Sequence, residues 1–300
     1  MDMLALIAAF GGGAFGALIG ALPAFILTGA VVIAGAAVSL AGGADVIVGN
    51  VAFGSFLGPH IAFAGGVAAT AFAANIRSKS VGKVTSTGDV EGYAVTDGAG
   101  IGVPMNITND YSVLLVGGLF GILGFLINYL YANVLGFATD TVAMTVATSG
   151  IIARLVFGKT GLLGKGPKPF FTTGNGFIYN VVMGLSVSIV VSYVGAYLMK
   201  SVGVEAAAMS VFPPLCFGIS ALSLVFTQTG SAVPGTHHIT LIGALATVAS
   251  GNPLVGVGFG LASTLIGDFA ANTFNTNCDS HIDPPAVAIF ICTFIINAMF

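Results

Sequence analysis

Charge is what this sequence has least of. Only 6% of its 300 residues are Asp, Glu, Lys or Arg, against about a quarter in soluble domains. Mean hydropathy is +1.02 over the whole length. Together these exclude a soluble globule with one apolar anchor. There is no tryptophan, and the net charge is −3 with no basic tract, which excludes nucleic acid as a natural partner. The three cysteines, Cys216, Cys278 and Cys292, form no CxxC or Cys/His spacing, so neither a metal centre nor a disulfide framework is expected. HExxH, paired-glutamate and Ser-His-Asp signatures are missing, and no enzymatic activity is expected. "DGAGIG" at 97–102 lacks the strand–turn–helix context and the Lys-Ser/Thr of a nucleotide loop, so no ATPase module is read and no cofactor is implied. The opening "MDMLALIAAFGGG" lacks the positive n-region of a secretory signal and reads as a first membrane helix.

What is present is glycine, 44 residues of it. Small residues let helices approach closely where lipid supplies no hydrophobic force between them. A spanning helix needs about 20 mostly apolar residues. Apolar runs fall at 3–21, 22–42, 59–76, 112–134, 139–157, 177–199, 206–227, 236–250, 253–274 and 284–300. The expected fold is an all-α polytopic membrane protein of about ten transmembrane helices. The stretch 43–58 reads as a half-helix dipping into the membrane. The polar stretch 77–111 reads as a cytoplasmic loop with some β-hairpin.

Cytoplasmic loops collect Lys and Arg. Arg77, Lys79 and Lys83 follow the third run; Arg154, Lys159, Lys165 and Lys168 follow the fifth; only Lys200 lies elsewhere. Ten spans with both termini outside put seven of the eight positive charges inside. The expected location is the cell (inner) membrane, with the lipid bilayer and a small solute as partners, a homo-oligomeric state, and room for a cytoplasmic partner subunit.

Two phrases resemble each other. "GPHIAFAGGVAAT" (58–70) aligns with "GTHHITLIGALAT" (235–247), matching His60 to His237. "FGILGFLINYLYANVLGFATD" (120–140) aligns with "FGLASTLIGDFAANTFNTNCD" (259–279), matching Asn133 to Asn272. The shared order divides the chain into a five-span repeat at 1–157, a basic cytoplasmic linker at 158–176 and a second five-span repeat at 177–300. Five is odd, so the copies are expected to be inverted, with broken or re-entrant helices, on the plan of many secondary transporters. The likeness is one of architecture and does not itself assign a function.

Each histidine phrase follows a Gly/Pro break, which reads as a helix start whose free N–H groups need partners or a water-filled cavity. His60, His237 and His238, with Ser55, Ser231, Thr236, Asn133 and Asn272, are the expected solute-binding residues. Asp268, inside an apolar run and four residues from Asn272, is the expected ion-coupling residue for Na⁺ or H⁺, with Asp279 and His281 beside it. Asp140 and Asp283 precede helix starts and read as N-caps. The resulting expectation is a secondary transporter of a small polar or anionic solute, with a channel-like facilitator or a complex subunit as rivals.

Overall fold

The computed structural model describes residues 3–44, 46–77, 94–201 and 209–300. Among these residues it is all-helical. Ten helices of twelve residues or more follow in order: α1 (Met3–Ile19), α2 (Ala21–Leu40), α3 (Ala62–Asn75), α4 (Tyr111–Tyr129), α5 (Thr141–Phe157), α6 (Asn175–Ser201), α7 (Phe212–Ser223), α8 (His237–Ser250), α9 (Pro253–Asn275) and α10 (Pro284–Met299). A four-residue turn, Val225–Gln228, prolongs α7. Four of the helical stretches, Ala21–Leu40, Tyr111–Val134, Asn175–Ser201 and Pro253–Asn275, are long and apolar enough to cross a membrane. The other main helices are shorter.

Local chemistry explains the helix starts. Asp110 accepts from the Ser112 amide at the start of α4, Asp140 from Ala143 in α5, Asn252 from Leu254 in α9 and Asp283 from Ala286 in α10. Each side chain supplies an acceptor for an N–H that has no partner within the helix. Pro253 and Pro284 take first helical positions, where no N–H is needed. The end of α8 is set by Gly251 at φ 67°, a left-handed turn that favours glycine.

One expectation holds in part and one is corrected. In the described part of 43–58 a short helical stretch runs over residues 46–52, π-type at Val48–Ala52, with Val48 packed over Gly35 of α2. The β-hairpin expected in 77–111 does not occur in its described part. Residues 94–111 form turns and a 3-10 helix, Met105–Thr108, and residues 78–93, with Lys79 and Lys83, lie outside the described residues.

Helix packing follows one pattern twice. α1 packs on α3 and α4, and α3 also packs on α2 and α5; in the second half α6 packs on α8 and α9, and α8 also packs on α7 and α10. Across the halves, α2 meets α7 and α5 meets α10. Both of these pairs run antiparallel. The Leu22 amide at the start of α2 donates to the Ile101 carbonyl, and the next residue, Gly102, lies beside the Gln228 amide at the far end of α7. Thr139 and Ala138, before α5, bond to Phe290 and Asn297 of α10, while Gly150 lies beside the His281 carbonyl before α10. The largest buried apolar cluster, including Phe25, Phe63, Val146, Phe217, Ile242 and Ile289, draws on both halves.

The close contacts also set the register between the halves. Gly124 of α4 lies against the His60 carbonyl, and Ser263 of α9 donates to the His238 carbonyl at 3.1 Å. Gly65 sits against Gly117, and Gly243 against Gly256. The alignment of 120–140 with 259–279 matches Gly124 to Ser263. Extended upstream, it matches Gly117 to Gly256. The packing therefore matches His60 to His238, one residue later than the sequence phrases do.

A cavity between the halves

Where the two halves meet there is a cavity of about 540 Å³. Part of its wall falls in pairs from the two halves: Phe25 and Pro214 on α2 and α7, Pro59 and His237 before and at the start of α3 and α8, Phe63 and Leu241 on those helices. Asp140 and Asp283, Ala143 and Ala286, and Val146 and Ile289 form the pairs on α5 and α10. The starts of α5 and α10 thus both reach the cavity, each with its capping aspartate.

Phenylalanine dominates one side. Phe25 lies 5.9 Å from Phe63 and 5.5 Å from Phe217, and Phe53 lies 5.8 Å from Phe217, in tilted or edge-on contacts. The His237 ring lies 4.7 Å from Phe25 and 5.7 Å from Phe217. It is 6% exposed, and its Nδ1 has no hydrogen-bond partner. His281 Nε2 is 3.3 Å from Asp283 Oδ1, and the other Asp283 oxygen caps α10. No Lys or Arg lines the cavity among the described residues, and no group of three His, Cys, Asp or Glu side chains converges to hold a metal.

Of the residues singled out in the sequence, the cavity brings together His237 and His281. His60 and His238 are buried behind it, each with an unpartnered Nδ1; the His238 ring lies beside Gly267 of α9. Thr236 is half-buried before α8, Ser55 is half-buried, and Ser231 and Asn133 are exposed. Asp268 does not line the cavity. Its carboxylate accepts from the Thr172 amide and hydroxyl and from the side-chain amides of Asn180 and Asn272. Three of these donors meet Oδ1 and one meets Oδ2, so the aspartate ties the 158–174 segment to α6 and α9.

Asp279 is also engaged elsewhere. It accepts from the Lys159 amide at 2.6 Å and the Thr160 hydroxyl at 2.7 Å, while its carbonyl accepts from Asn75 at 2.7 Å. Burial pushes this carboxyl up, but the Thr160 and Lys159 donors and the Arg154 guanidinium outweigh it and hold the pKa below the ordinary 3.8.

Beside it sits a residue the sequence misplaced. Arg154, expected as a solvated loop charge, belongs to the last turn of α5 and is 1% exposed. Its Nε donates to Ser280 Oγ at 2.8 Å, Nη1 to the carbonyls of Leu162 (3.0 Å) and Phe274, and Nη2 to the Ser280 carbonyl. Asn275 braces the same turn through both its oxygen and its nitrogen on Ile282. These bonds fasten the end of the first half to the α9–α10 turn of the second. Backbone acceptors leave no mark in a sequence, and only the depth of Arg154 within an apolar run hinted at burial. Asp140 and Asp283 were legible as caps but not as cavity residues. The signal available was their recurrence before matching helices.

No curated protein and no solved structure matches this chain. A protein-family model does match, over residues 1–173 and 177–300, and the chain belongs to that family, a family of unknown function (DUF7973).

Proposed function

We propose that this chain is a multi-pass membrane protein of two inverted five-helix repeats that carries a small solute through the cavity between them. The observation that carries the reading is the cavity wall itself: matched positions of the two halves line one space, and both α5 and α10 begin there. A chance pocket draws on unrelated surfaces, whereas a site on a pseudo-two-fold axis draws on equivalent ones. The matched helices α2 and α7, and α5 and α10, meet antiparallel. An axis relating antiparallel partners lies across the helices, hence in the membrane plane.

Membrane embedding is supported from outside and inside. Large apolar side chains face outward along α1 (Met3, Leu4, Ile7), α4 (Leu115, Leu119, Leu126) and α6 (Ile178, Val182, Ile189, Val190), more than a soluble monomer leaves exposed. The 14 residues each of α3 and α8 span only about 21 Å, short of the roughly 30 Å hydrocarbon core. The irregular chain before each helix then starts at depth, where backbone polar groups survive only against protein or a cavity. Arg77, Lys159 and Lys168 join the ends of α3, α5 and α9 at one end of the molecule. We assign that end to the cytoplasm and both termini to the outside.

Coupling, in this reading, belongs to the His281–Asp283 pair and to protons, since Asp268 and Asp279 lie away from the cavity and bond to donors elsewhere. The test is flux in proteoliposomes for a radiolabelled panel of a quaternary ammonium, a neutral amide and a carboxylate. Saturable uptake of one class is expected, abolished when Val146→Trp or Ile289→Trp fills the cavity of a protein that still elutes as a folded species. Absence of uptake for all three classes, or uptake indifferent to both tryptophans, overturns the reading.

A further inference from the structure

The cavity's chemistry narrows its occupant, and this step rests on the transport reading above. We propose that the cavity binds an organic monocation, an ammonium group carrying apolar substituents. Two carboxylates, Asp140 and Asp283, stand in the wall, and among the described residues no Lys or Arg joins them. The two helix starts they cap each contribute about half a positive charge. With His281 neutral, that leaves about one negative charge in a mostly apolar space, which is costly unless a cation completes it. His281 lies 3.3 Å from Asp283 and edge-on to Phe63, and His237, the other histidine in the wall, stands against phenylalanine rings.

The remaining wall decides which cation. Phe25, Phe53, Phe63 and Phe217 line one side of the space from α2, the 53–59 segment, α3 and α7. Aromatic faces attract alkylated ammonium groups through their quadrupoles. A bare metal cation needs six or so oxygen ligands, and among the described residues only the Thr227 hydroxyl and backbone carbonyls join the carboxylates in the wall. An anion meets two carboxylates and no fixed positive side chain. The volume suits a molecule of drug-fragment size. Free polar contacts are few: among the described residues, the unpartnered Nδ1 of His237 is the one buried side-chain group in the wall left to bond a polar substituent of the ligand.

The test is calorimetric binding of three probes to the purified full chain: benzyltrimethylammonium, N,N-dimethylbenzamide and phenylacetate. The cation is expected to bind at least tenfold tighter than either of the others. Asp140→Asn and Asp283→Asn keep a capping oxygen and remove the charge; each is expected to weaken the cation about tenfold and leave the amide unchanged. Phe217→Leu, which keeps the apolar volume without the ring face, is expected to weaken the cation as well and covers the case in which an Asp variant does not fold. Equal or tighter binding of the amide or the carboxylate overturns the proposal, as does cation affinity untouched in every folded variant. Cation binding without flux in proteoliposomes keeps this proposal and removes the transport reading; carboxylate flux without cation binding does the reverse.

Discussion

The two halves place small residues at the same contacts but choose them differently. In the first half the junction of α1, α3 and α4 is glycine on glycine: Gly13, Gly65 and Gly117 bring three backbones together. In the second half the junction of α6, α8 and α9 keeps Gly243 and Gly256 but adds hydroxyls, Ser188, Ser192 and Thr247. Ser188 and Thr247 return their hydroxyls to carbonyls in their own helices, at 2.6 and 2.8 Å, so the polarity costs little inside an apolar packing. The cavity shows the same division. The first half contributes Phe25, Pro59 and Phe63 where the second contributes Pro214, His237 and Leu241. In both places the second half carries more of the polar side chains.

The largest test of that comparison is at the matched ends of α5 and α10. Arg154 donates to several carbonyls from full burial, whereas Asn297, its counterpart near the end of α10, makes one exposed bond to Ala138 at 3.1 Å. Arg154→Met should destabilise the protein by about 3 kcal/mol or more, because charged hydrogen bonds are lost and buried carbonyls are stranded. Asn297→Ala should cost less than about 0.5 kcal/mol. Thermal unfolding in detergent reads both, and similar losses would mean that the first half is not anchored at this turn.

The glycine junctions come next. A Cβ on Gly65 meets only backbone, of Gly13 and Gly117, at 2.6 to 2.7 Å. A Cβ on Gly243 meets Val191 at 3.1 Å and otherwise stays beyond 3.4 Å. Gly65→Ala is expected to cost about 1–3 kcal/mol, as overpacking does, and Gly243→Ala well under that. Equal midpoints in the two variants would erase the distinction between a backbone-limited and a side-chain-limited junction.

The caps allow a comparison within the pair that shares the cavity. Asp140→Ala and Asp283→Ala should each lose about 1 kcal/mol, while Asp140→Asn and Asp283→Asn should lose only a few tenths. A loss from the Asn variants as large as from Ala would show that the charge, and not the capping oxygen, holds these helix starts.

These contrasts mark what a sequence can carry. Ten apolar runs became ten helices because length and hydropathy are local properties, and Asp140 and Asp283 were readable as caps because capping is decided within three residues. Register between the halves was not local. Glycine and alanine recur so often that a one-residue shift leaves the phrases nearly as similar, and only the packing of Gly124 and Ser263 on His60 and His238 separates them. The surroundings of Asp268 were hidden for a related reason: Thr172, which donates to it twice, comes from a linker far along the chain. Asn133 matched Asn272 in sequence, yet it falls on a π-type turn, Leu130–Val134, that faces outward.

The smallest effect expected concerns acidity at the clasp. The Asp279 carboxyl is held below its ordinary 3.8 in the folded protein, so the folded state binds fewer protons there than the unfolded state does near that pH. The sign follows: the contribution is fully present above the unfolded value and is lost as pH falls through the folded one. Asp110, whose carboxylate meets Arg77 at 2.7 Å in the first half, is also held low, but it joins neighbouring helix ends and does not cross between halves. Unfolding midpoints should therefore drop below about pH 4, and Asp279→Asn should flatten that drop while lowering stability at neutral pH. Asp110→Asn, placed on a more exposed pair with Arg77, should flatten it less. If the two variants changed the acid limb alike, the clasp between halves would be no more acid-sensitive than an ordinary surface pair.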